Sequence, residues 1–505
     1  YKLDNSCVFD SASSAYMSKA STTPTLDTKF TFSTWLKRGN YDGSSSSDHF
    51  GIFGHRQDAD AANKNLQLAF FDDMLYCAFI DGGSVSFMKY SNALYRDPAA
   101  WYHIVFIGDS TDGTAADRVK LYVNGTRVTA FTGTNTNPAE NETFLAASCT
   151  IDVGRFTATD GSSHFYFDGY MADVYYIDGT AYAASDFGET NDEGVWIPKS
   201  ASSLTFGNNG FYLNFKDSSN LGNDVKGGTD LTETNIAAAD QSTDVPTNNH
   251  CTWNSIFQYA TAANNIFLTE GNRNFKHTGG DQRKTIGTMF PTSGKWYWEV
   301  KWVSGTSGGE FGISQADVIY QYDMGDGDKT GKGIGYRTWD GRTYYNDGLA
   351  AYGDSMSAGD TGSIAWDVDN GKIYFAKNGT WQNSADPTSG ATGTGAFGTT
   401  LSSAIIDGGP WTPAVCNEGS NIYETHFAEA EWTQFSGAAP TGYSALCTSN
   451  MAEPAIKDGF KNFQMDDYAG TGSTLSRTFG GNSDMKPDIL WIKAKNTTTG
   501  WIEFN

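Results

Sequence analysis

The chain has 505 residues, more than one hydrophobic core usually organises, which predicts roughly two to four domains. Its 58 acidic and 34 basic side chains give a formal net charge of −24, which repels phosphate backbones and disfavours nucleic-acid binding. No apolar run approaches the roughly 20 residues of a membrane helix, and no charged start with an apolar stretch marks a signal peptide. Neither nucleic-acid binding nor membrane insertion is therefore expected.

The composition favours strands and tight turns over helices. Aromatic residues that favour strands are abundant, with 26 Tyr, 32 Phe and 14 Trp, and the 57 Gly favour turns. No window shows a sustained apolar stripe at helical spacing, and the best short segment, residues 426–435, has no clear capping residue. We therefore predict an all-β fold of tandem antiparallel β-sandwich (jelly-roll) domains.

Alternating strands joined by Asn-Gly turns are the clearest local signals. Residues 119–123 alternate apolar and polar side chains and end at Asn124-Gly125, a pair that accepts the positive φ angles of a type I′ turn. Residues 296–302 place alternate Trp and Val side chains on one face, which predicts an aromatic core. Residues 363–381 contain two further turns, at Asn370-Gly371 and Asn378-Gly379, and predict a three-stranded meander.

Composition changes suggest two domain boundaries. Strand alternation stops and aromatic residues vanish at about residues 216–249, and a second break lies near residues 440–458. We predict domains at 1–235 and 236–449, and the start of a third β domain at 450–505. The last piece is too short for a full sandwich, so the chain either continues beyond Asn505 or borrows strands from a neighbour.

Six cysteines lie far apart in the sequence, which predicts buried free thiols rather than a zinc or redox site. Catalytic signatures are scarce as well. No Glu-x-Asp-x-x-Glu strand marks the paired carboxylates of a jelly-roll glycanase, and the seven histidines form no His-Glu-x-x-His motif. These observations predict a non-enzymatic protein that requires no cofactor.

Several segments resemble two known families. Residues 30–39 (Phe-Thr-Phe-Ser-Thr-Trp-Leu-Lys-Arg-Gly), 101–105 and 167–174 resemble a laminin-G or concanavalin A-like jelly roll. Residues 293–300 (Ser-Gly-Lys-Trp-Tyr-Trp-Glu-Val) and 333–336 resemble a SPRY sandwich. This domain order, with its connecting phrases, resembles bacteriophage tail-fibre-type proteins.

The resemblance implies a virion adhesin, in a tail fibre or surface appendage assembled in the host cytoplasm. It also implies contacts with other virion proteins, a host-surface glycan or receptor as ligand, and a homo-oligomer, with a trimer favoured. One alternative is a structural decoration protein of capsid or tail that contacts only virion proteins. A glycan-cleaving tailspike is the third hypothesis, since active sites can assemble from distant residues.

Calcium is the one metal that the sequence suggests, because lectin-like folds often hold it with loop carboxylates. Two Asp-rich loops qualify as calcium sites: Asp109, Asp112 and Asp117, and Asp323, Asp326 and Asp328. Neither is an EF-hand, since the twelfth position counted from Asp326 is Arg337 rather than glutamate. The alternative interpretation is a pair of solvated turns in an acidic protein.

One loop combines the residue types that bind sugars, an aromatic platform with neighbouring hydrogen-bonding groups. Its candidate ligand-binding residues are Trp339, Asp340, Arg342, Tyr345 and Asn346. The alternative is that the aromatic side chains of this loop are core or hairpin partners, as they often are in sandwiches with aromatic strands.

Overall fold

The computed structural model describes residues 1–41, 49–57, 64–158, 160, 163–257, 266–277, 283–316, 324, 332–397, 410–417, 419–465, 468–477, 488–493 and 502–504. Antiparallel strands dominate these residues and confirm the predicted all-β fold. The helical segments are short 3-10 turns: Ala115–Asp117, Ala184–Asp186, Ala238–Asp240, Pro387–Thr392, Glu429–Glu431, Thr448–Asn450 and Gly459–Lys461. No helix in the described part of the chain is long and apolar enough to cross a membrane.

The first sandwich contains two eight-stranded sheets. Its first ten strands are β1 Ser6–Phe9, β2 Tyr16–Ala20, β3 Lys29–Arg38, β4 His49–Gln57, β5 Asn65–Phe71, β6 Met74–Asp81, β7 Ser84–Leu94, β8 Trp101–Asp109, β9 Val119–Val123 and β10 Thr126–Arg127. The next ten strands along the chain are β11 Phe131–Asn135, β12 Cys149–Val153, β13 Arg155–Thr157, β14 His164–Tyr166, β15 Gly169–Asp178, β16 Gly188–Thr190, β17 Trp196–Pro198, β18 Phe211–Leu213, β19 Thr232–Thr234 and β20 Gln241–Ser242. Of these, β13 pairs with β14 and β16 with β17 in two-stranded sheets outside the two large ones.

One sheet of this sandwich has the order β10-β9-β8-β3-β15-β1-β20, with β18 on β15, and the other has the order β11-β7-β6-β5-β4-β12-β2-β19. Aromatic and aliphatic side chains such as Phe32, Phe53 and Phe106 fill the space between the sheets. Strand β20, which follows the predicted boundary at residue 235, still pairs with β1.

The second sandwich follows with a seven-stranded and a six-stranded sheet. Its strands are β21 Ile266–Thr269, β22 Asn274–His277, β23 Arg283–Ile286, β24 Lys295–Ser304, β25 Gly309–Gln315, β26 Gly333–Arg337, β27 Arg342–Tyr345, β28 Gly348–Ala351, β29 Thr361–Asp367, β30 Lys372–Lys377, β31 Thr380–Trp381, β32 Trp411–Asn417 and β33 Ile422–His426. The sheet orders are β21-β22-β33-β24-β29-β30-β31 and β23-β32-β25-β26-β27-β28.

Strand β24 confirms the predicted alternation. Trp296, Trp298 and Trp302 pack into the core between the two sheets. Tyr297 faces the other way, into a smaller cluster that contains Trp432. The strand therefore buries both faces and occupies the middle of its sheet.

The Asn-Gly turns lie where the sequence predicts them. Asn124 and Gly125 have φ angles of 48° and 74°, and they join β9 to β10. Asn378 and Gly379 have φ angles of 46° and 73°, and they join β30 to β31. Two consecutive positive φ angles are the signature of a type I′ turn, so the local sequence sets these registers.

Residues 189–197 and 452–505 form a second compact unit, separate from the unit that contains both sandwiches. In the later segment β34 Leu490–Ile492 pairs antiparallel with β35 Ile502–Phe504. Large apolar side chains are exposed there, among them Met465 at 86% and Trp491 at 55%. The assignment of 450–505 as the start of a third β domain stays a prediction.

The six cysteines are buried thiols outside any disulfide, as predicted: Cys7, Cys77, Cys149, Cys251, Cys416 and Cys447. Burial raises the pKa of Cys77 to about 12 and the pKa of Cys251 to about 11. Thiols of this kind are poor nucleophiles at neutral pH and serve as small apolar core residues.

Candidate functional site

An aromatic cluster covers the outer face of the sheet formed by β4 to β7. Alternate side chains of these strands point away from the sandwich core because the side-chain period of a strand is two. Tyr76 on β6 lies opposite Tyr90 on β7, with ring centroids 4.9 Å apart, and Phe71 on β5 lies 5.4 Å from Tyr90. Phe71, Met88 and Tyr90 are only partly buried, so this surface reaches solvent.

The β13–β14 hairpin lies directly on this outer face, above β4. Phe156 and Phe165 of the hairpin stack with ring centroids 4.9 Å apart, and the ring of His49 lies 4.7 Å from Phe165. Two glycines of β4 allow the close approach. A Cβ at Gly51 would lie 2.2 Å from the carbonyl oxygen of Phe165, and a Cβ at Gly54 would lie 3.2 Å from that of Arg155.

Gly51→Val is therefore expected to displace the hairpin and to lower the free energy of unfolding by about 1–3 kcal/mol, because a backbone atom blocks the new side chain. Gly113→Ala is the matched control, since nothing lies within 4 Å of its added Cβ. Urea unfolding of both variants measures the difference. Equal stability of the two variants would contradict this account of the hairpin.

Hydrogen-bonding groups border the aromatic cluster. The Tyr76 hydroxyl donates to Oε1 of Gln67 at 3.0 Å, and Nδ2 of Asn65 donates to the carbonyl of Thr157 at 2.8 Å. Burial raises the pKa of Tyr90, so its hydroxyl is a neutral donor at physiological pH. Aromatic faces with a few fixed polar groups suit the apolar faces and hydroxyls of sugars, and equally an aromatic-rich protein surface.

The loop around Trp339, which the sequence predicts as a sugar site, does not present an open aromatic ring. The Arg337 guanidinium covers the ring of Trp339 at 4.1 Å from its centroid. Asp340 forms ion pairs with Arg337 at 3.3 Å and with Arg342 at 2.6 Å. The loop therefore brings Trp339, Asp340 and Arg342 into one cluster with Arg337, a residue that the sequence did not single out.

Tyr345 and Asn346 do not extend that cluster. Tyr345 packs against the core of the second sandwich, with its ring centroid 6.1 Å from that of Phe397. Asn346 and Asp347 have φ angles of 50° and 60° and form the turn between β27 and β28. Ligand binding by this loop stays a prediction.

Basic side chains form ion pairs with the carboxylates of the first predicted calcium loop. Lys29 lies 2.9 Å from Asp109, Lys120 lies 3.7 Å from Asp112, and Arg127 lies 2.6 Å from Asp117. Across the described ranges, no group of three or more His, Cys, Asp or Glu side chains is placed to hold a metal ion. The second loop, with Asp323, Asp326 and Asp328, lies outside the described residues, so calcium binding stays a prediction.

A buried carboxylate–histidine cluster in the second sandwich escaped the sequence analysis. His426 lies 3.9 Å from Glu299 and 3.3 Å from Glu424. Burial alone lowers the pKa of His426, but attraction to these carboxylates raises it to about 9. The Glu299 carboxylate also accepts hydrogen bonds from the backbone N–H groups of Thr433 and Gln434, at 2.8 and 2.9 Å. The cluster thus anchors the segment that follows β33.

A Gly-x-Ser-x-Gly pattern occurs at residues 305–309. The nucleophile elbow with this pattern joins a strand to a helix. Here the segment connects β24 of one sheet to β25 of the other, and the backbone N–H of Ser307 donates to Oδ1 of Asn421. A strand rather than a helix follows Ser307, so the segment is a connection between the two sheets and not a nucleophile elbow.

Comparison with known proteins identifies two domains. Residues 10–184 match the family model of the concanavalin A-like lectin/glucanases superfamily, and residues 295–421 match that of the SPRY domain. No curated protein matches the chain. No enzyme family is among the matched models.

Solved structures with similarity include the SPRY domain of human HERC1, at 19% identity and a TM-score of 0.26, covering 32% of this chain and 91% of that one. The native heptameric SAP-like pentraxin of Limulus polyphemus has 16% identity and a TM-score of 0.28, covering 40% and 98%. A candidate carbohydrate-binding protein from Bacteroides ovatus has 18% identity and a TM-score of 0.32, covering 48% and 60%. By its two family matches, the chain carries a concanavalin A-like domain followed by a SPRY domain, two folds typical of binding proteins.

Proposed function

We propose that this chain is a non-enzymatic virion fibre or adhesin protein that binds a glycan or protein of the host surface. The observation that carries the binding role is the partly exposed aromatic face around Phe71, Met88 and Tyr90 on the concanavalin A-like domain. The resemblance of the domain order to phage tail-fibre-type proteins supports the virion role. The protein would then be assembled in the host cytoplasm and contact other virion proteins.

A homo-oligomer, with a trimer favoured, fits this function. Linking several weak sites raises overall affinity by about 10²–10⁴ without any new contact, provided that the sites can engage together. A shallow aromatic surface gives modest affinity in one copy, so avidity would supply the rest. The formal charge of −24 also keeps such copies from associating non-specifically.

Two other functions remain as alternatives. A decoration protein would contact only virion proteins, and particles without it would keep adsorption but lose stability or assembly. A glycan-cleaving tailspike would release reducing ends from host polysaccharide, and a reducing-end assay separates this activity from binding alone.

The first experiment measures binding of the purified, oligomer-checked protein to whole host cells and to a glycan array, with and without calcium. Saturable binding supports the adhesin proposal and identifies the ligand class. Calcium-dependent binding would support the predicted calcium loops. No binding to cells or array by the folded protein would favour the decoration alternative.

The double variant Phe71→Ala/Tyr90→Ala is expected to weaken that binding about tenfold or more, because buried aromatic contacts each contribute about 1 kcal/mol or more to an interface. Leu349→Ala in the second sandwich is the control, since Leu349 is an exposed apolar residue at 42%. Trp339→Ala/Tyr345→Ala tests the sequence-predicted loop in the same assay. If only that second pair weakens binding, the aromatic face of the first sandwich is not the site.

A further inference from the structure

Lys37 is a buried lysine of β3 that lies between the first sandwich and the connecting segment after β20. Only 1% of its side chain is exposed. Its Nζ donates hydrogen bonds to Oδ2 of Asp244 at 2.8 Å, to Oδ1 of Asn249 at 2.9 Å and to the carbonyl of His250 at 2.9 Å. One amine therefore contacts a carboxylate and a side-chain amide at the same time.

The carboxylate is fixed and shielded from water. Asp244 has a side-chain exposure of 3%, and its Oδ1 accepts hydrogen bonds from Nε1 of Trp101 at 3.0 Å and from the His250 N–H at 3.2 Å. The ring of Tyr170 lies 5.7 Å from Nζ of Lys37. Aromatic walls and low exposure thus keep the amine and the carboxylate in contact with each other and away from water.

The amide is oriented for attack. Nδ2 of Asn249 donates to the carbonyl of Ala99 at 2.5 Å, which fixes the amide with Oδ1 accepting from Nζ of Lys37 at 2.9 Å. Asn249 is only half-buried, so a small leaving group has a path to solvent. A nucleophile, a proton carrier and an acyl group are thus held together by the fold.

We propose that Lys37 and Asn249 form an intramolecular isopeptide bond, with Asp244 as the proton carrier. The Lys37 ammonium gives a proton to Asp244, and the free amine attacks the carbonyl carbon of Asn249. The Nζ–Cγ bond forms, the proton held by Asp244 passes to the leaving nitrogen, and the Cγ–Nδ2 bond breaks. Asp244 then takes up the second proton, which Nζ loses as it becomes an amide nitrogen. The products are a secondary amide, ammonia and the protonated carboxyl of Asp244, and no oxidant, reductant or co-reactant is consumed.

Two other lysines show which features the reaction requires. Nζ of Lys89 donates to the side-chain oxygens of Asn135 and Asn137 at 2.9 and 2.7 Å, but no described carboxylate pairs with it. Nζ of Lys295 lies 2.7 Å from Asp367 but contacts no described side-chain amide. Of these three lysines, Lys37 alone combines both partners, so the bond is expected there and not at the other two.

The bond would connect parts of the chain that are 212 residues apart. It would tie β3 of the first sandwich to the connecting segment. That segment is itself joined to the second sandwich, through the hydrogen bond from the Cys251 N–H to the carbonyl of Leu446 at 2.9 Å. A covalent link at this point would keep the connecting segment attached to β3 under tension, because a covalent bond does not exchange with water.

Mass spectrometry of the purified, denatured full chain tests the proposal. The mass is expected to be lower than that calculated from the sequence by one ammonia, about 17 Da. Tryptic digestion is expected to give a branched peptide that joins residues 30–38 to residues 227–273. The deficit should disappear in Asn249→Ala and in Asp244→Asn, and it should persist in the control Lys89→Arg.

A wild-type mass equal to the calculated one, in protein that was folded before denaturation, would overturn the proposal whatever the variants do. A deficit that persists in Asn249→Ala would also overturn it, because the ammonia would then come from another site. If Asp244→Asn fails to fold, the wild-type branched peptide still decides the question.

Discussion

Replacing Arg38 by methionine is expected to lower the free energy of unfolding by about 3–5 kcal/mol, because the change leaves a buried carboxylate short of a partner. The Arg38 guanidinium lies 3.0 Å from Asp73, and the two side chains have exposures of 1% and 2%. Nη1 of Arg38 also donates to the carbonyl of Tyr95 at 2.6 Å. The guanidinium carbon of Arg38 lies 4.3 Å from the centroid of the Tyr41 ring and 4.3 Å from the centroid of the Phe70 ring.

A surface pair provides the control. Lys29 and Asp109 form an ion pair at 2.9 Å with exposures of 30% and 21%, so Lys29→Met should cost less than about 1 kcal/mol. Arg38→Lys should also be destabilising, because an ammonium cannot reproduce the planar contacts with both rings. Urea unfolding measures all three variants. A loss in Arg38→Met no larger than that in Lys29→Met would show that the buried pair contributes little.

Local features of the fold were predictable because they depend on few residues. The turns at Asn124-Gly125 and Asn378-Gly379 need only the positive φ angles that these residue types tolerate. The alternation in β24 follows from the strand period. The family resemblances rest on segments of this kind, and the matched models span the same two regions.

The candidate site was less accessible to sequence reasoning. Alternation in β5 to β7 indicates two faces, but it does not tell which aromatic side chains face solvent. That depends on the β13–β14 hairpin, which approaches β4 only because of Gly51 and Gly54. The Trp339 loop contains the residue types of a sugar site, but its sequence does not show that the Arg337 guanidinium lies over the Trp339 ring.

Contacts between distant segments explain the other omissions. Lys37 and Asp244 are 207 residues apart, and the jelly-roll-like segment that contains Lys37 does not indicate its partner. Glu299 and His426 meet because β24 pairs with β33. The sequence offers many possible pairs of basic and acidic residues. Without the sheet order it does not show which of these pairs come into contact.

Acidification is expected to destabilise the protein through His55. Only 2% of this residue is exposed, and burial lowers the pKa of its imidazole to about 4 from an ordinary value near 6.5. Between these values the unfolded chain binds a proton that the folded chain excludes, so stability falls as the pH drops from about 6.5 to about 4. The contribution lost is about 3 kcal/mol, since each pKa unit corresponds to about 1.4 kcal/mol.

Other buried groups act in the opposite direction, so the contribution of His55 must be isolated by substitution. Burial raises the pKa of Asp173 to about 6, although hydroxyls of Tyr212, Tyr1 and Tyr175 donate to its carboxylate. A raised carboxyl pKa means that the folded state binds the extra proton, so this group adds stability as the pH falls from about 6 towards 4.

The measurement is the free energy of unfolding at about pH 7 and about pH 4 for the wild type, His55→Gln and Asp173→Asn. His55→Gln should lose less stability on acidification than the wild type, even if it is weaker at pH 7, because it no longer excludes a proton. Asp173→Asn should lose more than the wild type, because it no longer gains from protonation. Parallel pH dependences for all three proteins would show that neither group titrates differently in the folded and unfolded chain.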